Sequence, residues 1–228
     1  MRRVRQDIEA GRSGGWRRAA PTLFVAWLTS MSPANAHPHV FVDGGVDLEF
    51  DREGQLAALR VTWLYDAFET LYILASHDLS LNAEGGLDEE DRLALVKYRS
   101  DWPPDFDGSA HLSVDGGLVA MEWPTAVDAH VIDGRLKLTF VRTLSQPLTV
   151  EDADIGFYES TYFFAFAITQ ETNLIGAPEG CSADIVKFDP DAEDMELQGT
   201  LAKLGREETP NLSNVGALFA DRILVSCA

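Results

Sequence analysis

Val40-Phe41-Val42-Asp43-Gly44-Gly45-Val46-Asp47-Leu48-Glu49-Phe50 alternates apolar residues with polar or small ones, and Asp51-Arg52-Glu53-Gly54 breaks the run. Leu56 to Tyr65 then resumes the alternation. A period of two turns one face of each run to a core and the other to solvent. Two such runs joined by a short polar segment with glycine read as a hairpin. The period changes after Tyr65. From Asp66 to Ser76, Phe68, Leu71, Tyr72 and Leu74-Ala75 recur at helical spacing. A second helix is expected from about Glu89 to Lys97, with Leu93, Leu95 and Val96 apolar. A Gly-containing acidic loop joins the two.

The remainder is mostly strand. Ala110 to Val114, Val127 to Ile132 and Arg135 to Val141 have the strand pattern, with turns at Asp115-Gly116-Gly117 and Asp133-Gly134. Ile155 to Tyr158, Tyr162 to Thr169, Asp184 to Phe188 and Arg222 to Cys227 follow. One helix is expected within the acidic stretch Asp191 to Leu204, and a short turn or helix over Gly216 to Asp221. Neither an internal repeat nor a Pro- or Ser-rich linker occurs. The fold class expected is α+β: a β-rich single domain over 37–228, with sandwich-like antiparallel sheets and a helix–loop–helix insert near 66–100.

Charge divides the chain in two. The whole sequence carries 37 acidic and 18 basic residues, a net charge of −19. Six of the arginines (Arg2, Arg3, Arg5, Arg12, Arg17, Arg18) precede residue 37, opposed only by Asp7 and Glu9, so residues 37–228 hold 12 basic and 35 acidic residues. Such acidity excludes binding nucleic acid through a basic surface. The basic start leads into the apolar run from Ala19 to Leu28 and then Ala34-Asn35-Ala36. This is the layout of a secretory signal peptide, with cleavage expected after Ala36 and a periplasmic destination. The apolar run falls short of the roughly 20 residues that span a bilayer, so the processed protein is not expected to span a membrane. Cys181 and Cys227, the two cysteines, read as a disulfide in that oxidising compartment. The link would contribute roughly 3–4 kcal/mol in the chain-entropy view. A thiolate metal site would call for closer spacing, such as C-x-x-C.

Cleavage after Ala36 would expose His37-Pro38-His39-Val40-Phe41-Val42-Asp43. The new amine and the His37 ring can chelate one ion, and His39 lies on the same side of an extended strand, as does Asp43 farther along. Neutral imidazoles suit zinc, copper, nickel and cobalt. Pro38 has no N–H to lose, which excludes the planar amino-terminal copper and nickel site. What remains is amine plus two rings, a histidine-brace-like set of His37 and His39 with Asp43 as a further candidate. The competing reading is two exposed histidines at a fraying strand end. His77, His111 and His130 each stand apart, and sequence does not say whether any of them completes a site.

The inter-helix loop can be laid on the twelve-residue calcium-loop pattern, with Ser80, Asn82, Glu84, Asp88 and Asp91 at ligand positions and Gly85 at the sharp turn. Ser80 and Asp91 depart from that pattern, so the expectation is a structural helix–loop–helix rather than a calcium or magnesium site. Tyr158-Glu159-Ser160-Thr161-Tyr162-Phe163-Phe164 reads as two strands around a bend. No G-x-S-x-G, H-E-x-x-H, P-loop or G-x-G-x-x-G occurs, and no enzymatic activity is expected.

Several stretches together carry a family resemblance. They are the His-Pro-His-Val-Phe-Val-Asp run, Arg60-Val61-Thr62-Trp63, the calcium-like loop and Tyr158 to Phe163. Gly176-Ala177-Pro178-Glu179-Gly180-Cys181 and Gly216 to Arg222 leading to Cys227 complete the set. The chain resembles the bacterial domain of unknown function family one thousand and seven, whose members are described as the periplasmic component of an uncharacterised ABC-type transport system. The resemblance implies nickel/cobalt-type metal handling beside a membrane transporter or permease. It implies His37 and His39 as candidate ligands and a Cys181–Cys227 disulfide. The resulting expectation is a periplasmic accessory that binds a divalent transition metal. The alternatives are a non-metal interaction module docking on an envelope transporter, and a copper oxidase acting through the brace.

Overall fold

A computed structural model of the protein describes residues 37–103, 106, 108–205 and 208–228. The expected leader and its cut after Ala36 lie outside the described residues. The chain order is β1 (Val40–Phe50), β2 (Leu56–Tyr65), α1 (Ala67–Ser76), α2 (Glu89–Arg99), β3 (Ala110–Val114), β4 (Gly117–Leu118), β5 (Thr125–Ile132) and β6 (Arg135–Leu148). It continues with β7 (Asp152–Phe157), β8 (Phe164–Ile168), β9 (Leu174–Ile175), β10 (Cys181–Val186), α3 (Ala192–Leu201), a 3-10 turn (Val215–Phe219) and β11 (Asp221–Cys227). The architecture is β-rich α+β, with two sheets and three α-helices among the described residues.

The opening hairpin forms as its alternation requires. Val40, Val42, Val46 and Leu48 are buried, while Phe41, Asp43, Asp47 and Glu49 face outward. The Asp51 carboxylate accepts the amides of Glu53 (3.0 Å) and Gln55 (2.9 Å), which closes the turn. β1 and β2 approach so closely at Gly44 that a Cβ there would collide with the Thr62 carbonyl oxygen. Helix α1 starts at Asp66, whose carboxylate accepts the Glu69 amide at 2.8 Å. It docks on β6 through Thr70, whose hydroxyl accepts the Leu136 amide at 2.8 Å. Its Phe68, Leu71 and Tyr72 remain exposed.

The first sheet has the order β5-β6-β2-β1-β8, with β9 also on β1; the second has β10-β11-β7-β3-β4. Their inner faces enclose one apolar core, to which the first sheet gives Leu59, Val61, Phe140 and Phe166 and the second Leu112, Ile155, Phe157 and Ile223. The first sheet is mixed rather than antiparallel. β8 runs parallel to β1, with Val40 opposite Phe164 and Gly44 opposite Ile168, and β9 does the same at Leu48. Parallel pairing needs a long crossover, and here the chain from Asp51 to Phe163 supplies it. β6 also outruns its expected end at Val141, because pairing with β2 continues as far as Leu148 opposite Leu56. None of the described helices is long and apolar enough to cross a membrane.

Two links secure the second sheet. Cys181 and Cys227 lie directly opposite on β10 and β11 and form the expected disulfide. At the other end of β11, the buried carboxylate of Asp221 accepts the amides of Ile168 (2.8 Å) and Phe188 (2.9 Å) and pairs with Lys187 Nζ (2.8 Å). Ile168 ends β8 of the first sheet, so this one side chain joins the two sheets. Leaving two amides without an acceptor costs about 1–3 kcal/mol each. Asp221→Ala is therefore expected to lower unfolding stability by about 2–4 kcal/mol in a guanidinium titration. A loss under about 0.5 kcal/mol, the scatter of ordinary surface changes, would contradict this account.

Candidate functional site

The turn between β7 and β8 builds the site. The Glu159 carboxylate accepts the amides of Thr161 (2.8 Å) and Phe163 (2.9 Å) and the Thr161 hydroxyl (2.9 Å). Its own carbonyl accepts the Tyr162 amide at 3.1 Å. Tyr162 takes the left-handed conformation, with φ of 61°, and burial pushes its phenol up from the ordinary value against the hydrogen bond from Gln198 (3.3 Å). The 3-10 turn buttresses this arrangement from outside. Gly216 donates to the Ser160 carbonyl at 3.2 Å, and a Cβ on Gly216 would collide with the Glu159 carbonyl.

The end of this turn receives the start of β1. The Phe163 carbonyl accepts the amides of His39 (2.9 Å) and Val40 (3.3 Å). Ring centroids of His37 and His39 are 4.7 Å apart with planes at 74°, and both rings contact Phe163, at 5.9 and 5.0 Å. His37 is 4% exposed. Its Nδ1 is buried and makes no hydrogen bond to the described residues, and Nε2 of His39 is buried too. The pair is thus a packed feature against the β7–β8 turn, which corrects the reading of a fraying, exposed strand end.

The other candidate residues lie elsewhere. The Asp43 carboxylate faces outward as expected, but it is held by Arg135 at 2.8 Å, and Arg135 also donates to the carbonyls of Leu64 and Tyr65. His77 stacks on Tyr98 at 4.2 Å, His111 stacks on Tyr158 at 3.9 Å, and His130 meets the Asp128 carboxylate at 2.9 Å. In the inter-helix loop, Asn82 Oδ1 accepts the amides of Glu84 and Gly86, and its Nδ2 donates to Asp88. The Ser80 amide donates to Asp91 at 3.4 Å. These bonds close the loop on itself. Among the described residues, no group of three or more His, Cys, Asp or Glu side chains is placed to hold a metal ion. The two histidines would need a ligand of another kind, such as a backbone amine.

On the cavity side of Phe163 lies a pocket of ≈ 310 Å³, lined by Trp63, Trp102, Phe106, Phe163, Phe164 and Phe166 together with Glu159, Ser109 and neighbouring residues. Trp63 is fixed by its indole N–H, which donates to Ser109 Oγ at 2.9 Å. Sequence reading did not find this cavity, because its aromatics come from three separate segments with no shared period.

The whole described domain matches one family model, described as "Protein of unknown function (DUF1007)", over residues 22–227. The chain belongs to that family. No curated protein matches it.

The role of Gly216 is open to direct measurement. Gly216→Ala forces the Glu159 carbonyl to move and is expected to cost about 1–3 kcal/mol of stability. Gly199→Ala, in α3 with open space around it, is expected to be neutral or stabilising by up to about 1 kcal/mol. Equal effects in thermal unfolding would show that the turn is not held in the way described.

Proposed function

We propose that the protein is a periplasmic accessory component of a transport system, and that it binds a divalent transition metal ion through His37 and His39. Nickel, cobalt, zinc and copper all suit neutral imidazole donors. In this reading, export and cleavage after Ala36 free the His37 amine, which joins the His37 and His39 rings as the third donor.

The observation that carries the reading is the 4.7 Å separation of the two rings. A metal–nitrogen bond of about 2.0–2.1 Å places a ring centroid about 3.2 Å from the ion, so two rings whose metal–nitrogen bonds meet at about 90–110° have centroids about 4.5–5.2 Å apart. The buried, unbonded Nδ1 of His37 fits as well, since it is the ring nitrogen that can chelate together with the residue's own amine. The excess of 35 acidic over 12 basic residues in 37–228 raises the local concentration of cations without choosing among them. Asp43 is left out of the donor set because Arg135 holds it.

Two measurements bear on this. Mass spectrometry of the exported protein should find His37 at the N-terminus. Calorimetry with nickel, cobalt, copper and zinc should then find binding that weakens about tenfold or more, about 1.4 kcal/mol, when one alanine precedes His37. Asp43→Asn should leave the affinity unchanged. Equal affinity with and without the added alanine would overturn the reading.

A second reading is a module that docks on a membrane transporter or permease. Phe68 (80% exposed), Leu71 (59%) and Tyr72 (52%) form an apolar stripe on α1 at the spacing of one helix face, and they favour it. Replacing Phe68 and Leu71 together by serine is expected to abolish co-purification of the transporter while leaving the unfolding midpoint and metal affinity unchanged. Retained co-purification would remove α1 from consideration as the docking face.

A further inference from the structure

The aromatic cavity beside the histidine pair has a chemistry of its own. Trp63 contacts Trp102, Phe106, Phe166 and Phe164 with planes at 84°, 60°, 53° and 34°. Rings set at such angles form walls rather than a single stack. Trp102 stacks on Phe106 (4.2 Å), and Phe164 lies nearly parallel to Phe166 (20°), so the walls are braced in pairs. Among the described lining residues the one charged side chain is Glu159, and neither Lys, Arg nor His takes part. The Glu159 carboxylate cannot swing away, because the Thr161 and Phe163 amides hold it.

These features select a ligand class. Aromatic faces carry negative quadrupole potential and attract cations. A fixed carboxylate adds to that attraction and disfavours an anion. A compact ammonium such as that of lysine is strongly hydrated and loses much on entering an apolar cavity. An alkylated ammonium spreads its charge over methyl groups and gains from burial in the same cavity. A volume of ≈ 310 Å³ is at the small end of ligand pockets.

We propose that this cavity binds a small quaternary ammonium compound of the choline kind. The site is separate from the histidine pair, sharing only the Phe163 side chain as a wall, and it needs no metal.

The test is calorimetry and tryptophan fluorescence on the exported protein in the presence of a chelator, so that the fate of the metal reading does not affect the outcome. Choline and tetramethylammonium are the probes, with the uncharged carbon isostere of choline as control. Both cations are expected to bind saturably, with the isostere weaker than choline by about tenfold or more. Glu159→Gln keeps an acceptor for the turn but removes the charge. It should weaken choline and leave the isostere unchanged. Equal binding of choline and its isostere would overturn the proposal in favour of a purely apolar pocket. Absence of saturable binding by any of the probes in a variant-free, folded protein would overturn it outright.

Discussion

The buried carboxylate of Asp221 is the constraint on which much of the fold depends. It accepts one amide from the end of β8 and one from the segment after β10, and draws in Lys187. A carboxylate out of water needs its donors supplied by the protein, and here the donors come from both sheets. That requirement fixes the two sheets together at one end. A small satellite core lies near this end, with Phe188 and Phe219 packed edge to face and Tyr162 against Phe219. The disulfide fixes the opposite end of the β10–β11 pair. The turn that carries Glu159 is therefore anchored by strands that are themselves cross-tied.

That turn repeats the same device on a smaller scale. One carboxylate collects the amides of Thr161 and Phe163, and Phe163 then presents its carbonyl to His39 and its ring to both histidines. The opposite side of the same stretch gives Phe163, Phe164 and Phe166 to the aromatic cavity. The eight-residue run Glu159 to Phe166 thus orients two distinct chemical environments. Gly216 permits this, because the 3-10 turn has to approach the Glu159 carbonyl without a side chain in between.

Local features were legible in the sequence, and long-range ones were not. The β1–β2 hairpin follows from alternation and the Asp51 turn, both contained within 26 residues. Helix α1 follows from period and from Asp66, whose capping role is local. The disulfide followed from an even cysteine count. The parallel β1–β8 pairing was invisible, since nothing in Val40–Gly44 says that its partner lies beyond residue 160. Asp221 and Glu159 read as turn residues because their partners are backbone amides, which leave no mark on the sequence pattern. The histidine pair was singled out from its spacing. Its burial against Phe163 depends on a strand pairing that only three-dimensional structure reveals.

The position of β1 bears on how the chain reaches its native state. The first strand of the domain is flanked by β2 and β8, and the last strand, β11, by β10 and β7. Each end of the domain is therefore an interior strand rather than an edge. A chain released only as far as β6 has no partner for one whole side of β1, and a chain lacking its last strand has a second sheet split in two. Closing contacts of such long sequence separation carries a large loop entropy and makes folding slow. Assembly is expected to be late and cooperative, occurring after essentially the whole domain has emerged. Trimming either end would remove the middle of a sheet.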